Sequence, residues 1–179
     1  KAFYNEKTRL FVDAEGSNHS ALHSNALPLY FDITPLDSQK DEVELIKENG
    51  FSCGVYMSYF VLKALARVGE HELVYSLITS DSIHSWSNML REDATTCFEA
   101  WGKDQKWNTS LCHPWASAPI PVMVEDIIGL KPKVAGWKEI EFAPKIPASL
   151  KEVDLKIKVK SGEIRVKIEN GECSIHAPE

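Results

Sequence analysis

The chain has 179 residues and a net charge of −6, with 26 acidic against 20 basic side chains and 44% hydrophobic residues. That is the size of one ordinary domain or two small ones and the composition of a folded globular protein, which excludes disorder, collagen and coiled coil. The acidic balance argues against a nucleic-acid partner and favours a neutral ligand. The longest uncharged stretch, 107–124, holds three prolines with several hydroxyl and amide side chains, so no membrane-spanning helix is expected.

The first twenty residues contain no apolar targeting core, and a chain that begins at Lys1 is expected to be a processed product or a piece of something longer. Residues 17–30 read as a helix that Pro28 kinks or ends early, with His19, His23 and Asn25 on it to line a pocket or be solvated. Residues 55–66 are apolar almost all round and stop at Gly69, so this helix must be buried. A second helix over 72–78 packs back on it as a helical hairpin. Residues 82–90 and 121–128 read as further helices, the latter ended by Gly129 and Pro132.

Past Pro144 the hydrophobic period changes to two. Val153, Leu155, Ile157 and Val159 form one run, Ile164, Val166 and Ile168 a second, and Cys173, Ile175 and Ala177 a third. Ser161-Gly162 and Asn170-Gly171 separate them, which predicts an antiparallel meander with one apolar and one Lys-rich face. Three such strands are marginal alone and need a cover, from the helical part or from a larger sandwich. Charge divides the chain in the same place: 131–179 carry 10 basic against 8 acidic residues, and 1–130 carry 10 against 18. The expected domains are therefore a helical one over 1–132 and an antiparallel β domain over 133–179.

Four of the five tryptophans, Trp86, Trp101, Trp107 and Trp115, fall within thirty residues, among Glu99, Asn108, His113 and several hydroxyls. Indole faces match the C–H faces of sugar rings, while carboxylate, imidazole and amide match their hydroxyls. Trp101, Trp107 and Trp115 are the candidate carbohydrate platforms, and Trp86 is read as core. Glu99 is the most interesting carboxylate, because Phe98 and Trp101 flank it and would desolvate it, moving its pKa toward acid/base use. The competing reading is a capping box, Thr96-x-x-Glu99, in which Glu99 only bonds back to the Thr96 amide. His113 is a candidate contact for substrate hydroxyls. Cys97 and Cys112 could join it at a metal, but no ligand spacing supports one, so neither metal nor cofactor is expected. The four cysteines are spread without a Cys-x-x-Cys pair and default to buried thiols.

Several runs in order resemble the C-terminal part of bacterial α-L-rhamnosidases. They are Cys53-Gly54 opening an apolar helix, Thr95-Thr96-Cys97-Phe98-Glu99-Ala100-Trp101, Ser110-Leu111-Cys112-His113-Pro114-Trp115, Ile128-Gly129-Leu130-Lys131-Pro132, and Gly136-Trp137-Lys138-Glu139-Ile140. The resemblance implies the end of an (α/α) toroid of six helical hairpins followed by part of an antiparallel β-sandwich. It implies a glycosidase that inverts terminal α-L-rhamnosides, with Glu99 as general base and His113 touching substrate. The family's general acid lies on an earlier segment that nothing here matches, so this chain alone would be inactive. Cys53 stands where the family more often has Thr, and Phe98 where a Trp is common. The implied partner is a rhamnose-containing glycoside or polysaccharide, which favours a periplasmic or extracellular parent, and an incomplete toroid would self-associate. The rival classes are a non-catalytic carbohydrate-binding module and a structural helical module.

Overall fold

A computed structural model describes residues 2–169 and 171–178. Contacts divide the chain between Val122 and Met123 into two units. Pro132, where charge and pattern place the boundary, lies inside a strand of the second unit.

The first unit opens with a short antiparallel hairpin, β1 (Tyr4–Asn5) and β2 (Leu10–Phe11). It is tied to helix α1 (Leu22–Tyr30) by the fully buried Asn25, whose Oδ1 accepts from the Phe11 amide at 2.8 Å while Nδ2 donates to the Phe11 and Ala21 carbonyls. The helix starts later than its apolar pattern suggests. Asp13 is the reason: its Oδ1 accepts from the Ala21 amide and from Ser24 Oγ, which satisfies donors at the helix start from outside the helix. His19 therefore precedes the helix and pairs with Asp13, and His23 is exposed, so these two and Asn25 do not share a pocket-lining face. Pro28 sits in the last turn, where the missing amide costs one bond.

Helix α2 (Gln39–Asn49) carries eight polar residues in eleven, which hides its periodicity. Helix α3 (Val55–Arg67) buries Val55, Met57, Val61, Leu62, Ala64, Leu65 and Ala66, whereas Tyr56 on its other side is exposed. The chain leaves α3 through a reversing turn in which the Glu70 amide reaches the Leu65 carbonyl at 3.0 Å, and Gly69, at φ 90°, takes the left-handed position this closure needs. Helix α4 (His71–Ile78) then packs back on α3, which makes the expected hairpin. Helix α5 (Trp86–Arg91) begins only after Ser85, whose side chain caps the Asn88 amide at 3.1 Å. Helix α6 (Pro119–Val122) closes this unit.

The second unit starts with a π-helical turn, Met123–Ile127, so the single helix expected over 121–128 is divided. Strands β3 (Leu130–Pro132) and β4 (Ile140–Phe142) pair antiparallel. Gly129 enters β3 at φ 75°, and a Cβ there would lie 2.0 Å from the Ala143 carbonyl oxygen, so only glycine fits. The meander follows as β5 (Glu152–Val159), β6 (Gly162–Glu169) and β7 (Glu172–His176), in the order β5-β6-β7. Val153 faces Ile168, Leu155 faces Val166 and Ile157 faces Ile164, which puts the apolar set on one side. That side is covered from within the unit by Ile128, Leu130, Trp137, Ile140 and Phe142. Strand β7 is exposed throughout, so Cys173 and Ile175 join no core. Asn170, half of the second turn signal, lies outside the described residues; Gly171 beside it has φ 84°. Of the four thiols only Cys53 is buried, against the default of burial for all, and Cys112 is exposed like Cys173.

Candidate active site

The site is built on two irregular segments, 96–101 and 110–113, that run side by side ahead of α3. The Glu99 amide donates to the Ser110 carbonyl at 2.8 Å and the His113 amide to the Cys97 carbonyl at 2.8 Å. Thr96 Oγ1 donates to the Leu111 carbonyl at 2.5 Å. No helix begins at Thr96, so the capping box is absent and Glu99 is free of that duty.

Aromatic packing fixes this arrangement from below. Phe98 and Trp101 are each only 2% exposed. The Trp101 ring stacks on Phe51 at 5.2 Å and meets Trp86 edge-on at 5.0 Å, and its Nε1 donates to the Cys53 carbonyl at 2.6 Å. Trp86 donates its own Nε1 to the Ala116 carbonyl at 2.8 Å. Buried indoles that satisfy their N–H on backbone carbonyls are rigid supports, and here they hold the residues before α3 against the Glu99 segment.

Above them opens a cleft of about 480 Å³ whose walls include Ser52, Cys53, His84, Glu99, Lys106 and Trp115. The Glu99 side chain is 13% exposed. Its Oε1 accepts from Lys106 Nζ, and its Oε2 accepts from the Ser110 amide at 3.0 Å. The Lys106 ammonium first, and then the Ser110 N–H, hold the Glu99 carboxyl below its ordinary 4.5, outweighing the opposing effect of burial. The upward shift expected from Phe98 and Trp101 does not occur, because both rings are committed to the core and two donors reach the carboxylate instead. Burial pushes the Cys53 thiol up to about 12, so it stays neutral.

The sequence-derived candidates separate here. Glu99, Trp101 and Trp115 border the cleft, Trp101 as a floor that shows little of its face. His113 joins through Trp115, with the two rings 4.1 Å apart. Trp107 is 95% exposed and is not among the residues that line the cleft. Lys106, Gln105 and His84 line it without having been anticipated. Among the described residues no three His, Cys, Asp or Glu side chains gather as a metal-holding group, and no helix is long and apolar enough to cross a membrane.

Packed helices that include the α3–α4 hairpin and carry a carboxylate cleft, followed by a separate antiparallel β unit, define an α-helical domain with a β companion. The model of the bacterial alpha-L-rhamnosidase 6 hairpin glycosidase domain matches residues 1–127, and that of the bacterial alpha-L-rhamnosidase C-terminal domain matches residues 129–176. The chain belongs to the bacterial α-L-rhamnosidase family. It is 28% identical over 175 residues to an alpha-L-rhamnosidase of Formosa agariphila, a match covering 92% of this chain and 19% of that protein. Among solved structures, the alpha-L-rhamnosidase from Dictyoglumus thermophilum superposes with a TM-score of 0.75 at 23% identity, over 89% of this chain and 19% of that one. The Streptomyces avermitilis alpha-L-rhamnosidase complexed with L-rhamnose gives 0.71 at 19% identity, over 87% of this chain and 16% of that one. The chain thus spans about a fifth of the length of these relatives. The folds agree: part of a six-hairpin domain and an antiparallel β unit.

Proposed function

We propose that this chain carries the general-base side of an α-L-rhamnosidase that hydrolyses terminal α-L-rhamnosides with inversion, and that Glu99 is the base. The observation that carries this reading is the held Glu99 carboxylate: largely covered, ionised, fixed at both oxygens, and on the wall of a cleft that Trp115 also borders, with His113 packed against Trp115.

A base must be ionised when water arrives. Each carboxylate oxygen keeps acceptor capacity beyond the one donor it holds, which leaves room for a water O–H. In the reaction Glu99 takes a proton from water as the water oxygen bonds to the anomeric carbon. The bond from that carbon to the leaving oxygen breaks, and an acid on another part of the full-length protein protonates the departing oxygen. The Trp115 ring offers an apolar wall for the sugar's methyl group and C–H edges, and His113 a polar contact for a hydroxyl.

Glu99→Gln in the full-length protein tests the assignment. Turnover of an aryl α-L-rhamnoside is expected to fall by ~10² to 10⁴, with melting temperature nearly unchanged. Near-normal kcat in the Gln variant overturns it. A carbohydrate-binding module without turnover would show rhamnose binding that Glu99→Gln leaves intact, and no hydrolysis in either protein.

A further inference from the structure

We propose that Lys106 is a positioning residue for the Glu99 base, clamping its carboxylate jointly with the Ser110 amide so that the base keeps one orientation and stays available in acidic solution. This rests on the reading of Glu99 above and adds a residue and a pH range to it.

The geometry is a clamp made by one loop. Residues 102–110 leave the Glu99 segment and return beside it, and the middle of this loop and its returning end grip the same carboxylate. Lys106 Nζ takes Oε1 and the Ser110 N–H takes Oε2. The backbone that carries Lys106 is itself held. The Lys106 carbonyl accepts from both the Thr109 amide at 3.2 Å and Thr109 Oγ1 at 2.7 Å, which fixes the backbone from which the lysine reaches. The start of the loop is held by α5 and the residue that ends it: Glu92 Oε2 accepts from the Lys103 amide at 2.6 Å, and Asn88 Nδ2 donates to the Trp101 carbonyl at 2.9 Å.

The charges that face Glu99 set the sign of the effect. Lys106 approaches from the loop, His113 from the returning segment and His84 from across the cleft. The remaining polar walls, Ser52, Gln105 and the neutral Cys53, carry no charge. Lys106 is the single permanent cation of this set, and it donates directly. Removing it leaves the Ser110 amide as the hydrogen-bond donor to Glu99, with His113 nearby, so protonation of the base begins at a higher pH. Its presence has an opposing consequence. A carboxylate held in an ion pair is a weaker proton acceptor, so the clamp widens the acid side of the profile at the expense of some driving force near neutrality.

The test is the pH dependence of kcat/KM for an aryl α-L-rhamnoside in the full-length protein, for wild type, Lys106→Met, Lys106→Gln and Lys106→Arg. The expected result is that Met and Gln move the acidic limb to higher pH, with a loss of roughly tenfold on the acid side and a smaller loss on the alkaline side from the freed carboxylate, and that Arg restores the limb. An unmoved limb in both neutral variants overturns the proposal, as does a loss equal at every pH. Glu99→Gln, measured alongside, separates the two claims. If it keeps turnover, the base reading fails; if it abolishes turnover while the Lys106 variants leave the limb in place, only the role of Lys106 fails.

Discussion

Two glutamates of the helical unit show how the same side chain is set to opposite ends of its range. Glu42, on the inner side of α2, is fully buried, accepts a single hydrogen bond from Thr34 Oγ1 at 2.8 Å, and leaves Oε1 without a hydrogen-bond partner. Burial pushes its carboxyl up to about 7, and neighbouring Asp41 adds to the effect. Glu99 lies shallower, on the wall of the cleft with its side chain 13% exposed, and meets an ammonium and an amide N–H that hold it down. Burial with a single donor raises the first carboxyl group, and two donors at a shallower site lower the second. Glu42 is a neutral core element at acidic pH, and Glu99 is an anion presented to a cleft.

The largest expected difference between the two regions is in turnover. Glu42→Gln should leave hydrolysis of an aryl α-L-rhamnoside close to wild type, where Glu99→Gln removes it by the factor given above. A comparable loss in both would show that the Glu99 effect is structural.

Stability against pH should separate them next. The folded-state pKa of Glu42 is raised from 4.5 to about 7, so its contribution to stability is fully present below pH 4.5 and is lost as pH rises toward and through 7. The loss at alkaline pH is on the order of 3 kcal/mol. Glu42→Gln keeps an acceptor for Thr34 and has no proton to lose. Denaturant melts at pH 4.5 and pH 8 should show a steep decline for wild type and a flat response for this variant; parallel declines would contradict the assignment. Glu99 has the opposite sign, with a contribution present above 4.5 and lost as acid protonates it.

What could be read from the chain before its structure follows the same division between regular and irregular backbone. Helices α3 and α4 and the β5-β6-β7 meander were legible because a buried face repeats with the period of the element, as in Val61-Leu62-Leu65 or Ile164-Val166-Ile168. Helix α2 was not, because Val43, Leu45 and Ile46 are its only apolar residues among charges. The start of α1 was misread because its cap comes from Asp13, outside any local signal. Glu99 was legible through its motif and its aromatic neighbours. Lys106 was not, since a loop carries no periodicity and seven residues of separation say nothing about where its ammonium ends. The aromatic neighbours misled in one respect: Phe98 and Trp101 mark the place of Glu99 without setting its charge.

A smaller effect is expected at another displaced carboxyl, on the helical unit. Asp13 is held at about 2 by Ser24, His19 and the Ala21 amide. It supports α1 above the ordinary range near 3.8 and loses that support as pH falls toward 2. Asp13→Ala removes the acceptor of the Ala21 amide and Ser24 hydroxyl and should fray the first turn of α1 with a small fall in melting temperature. Amide exchange that speeds up at residues 21–24 and nowhere else in the helical unit would confirm that the effect is local; unchanged exchange there would remove Asp13 from the role of cap.

The central claim, that Glu99 acts by deprotonating water, is tested most directly by supplying a nucleophile that carries no proton. In the full-length protein with Glu99→Ala, hydrolysis of an aryl α-L-rhamnoside should nearly stop. Added azide should restore release of the aryl group, because azide bonds to the anomeric carbon as the aryl oxygen leaves and takes up the acid's proton, and the product should be the β-configured rhamnosyl azide. A Glu99→Ala variant that still hydrolyses the substrate at the wild-type rate without azide would contradict the account.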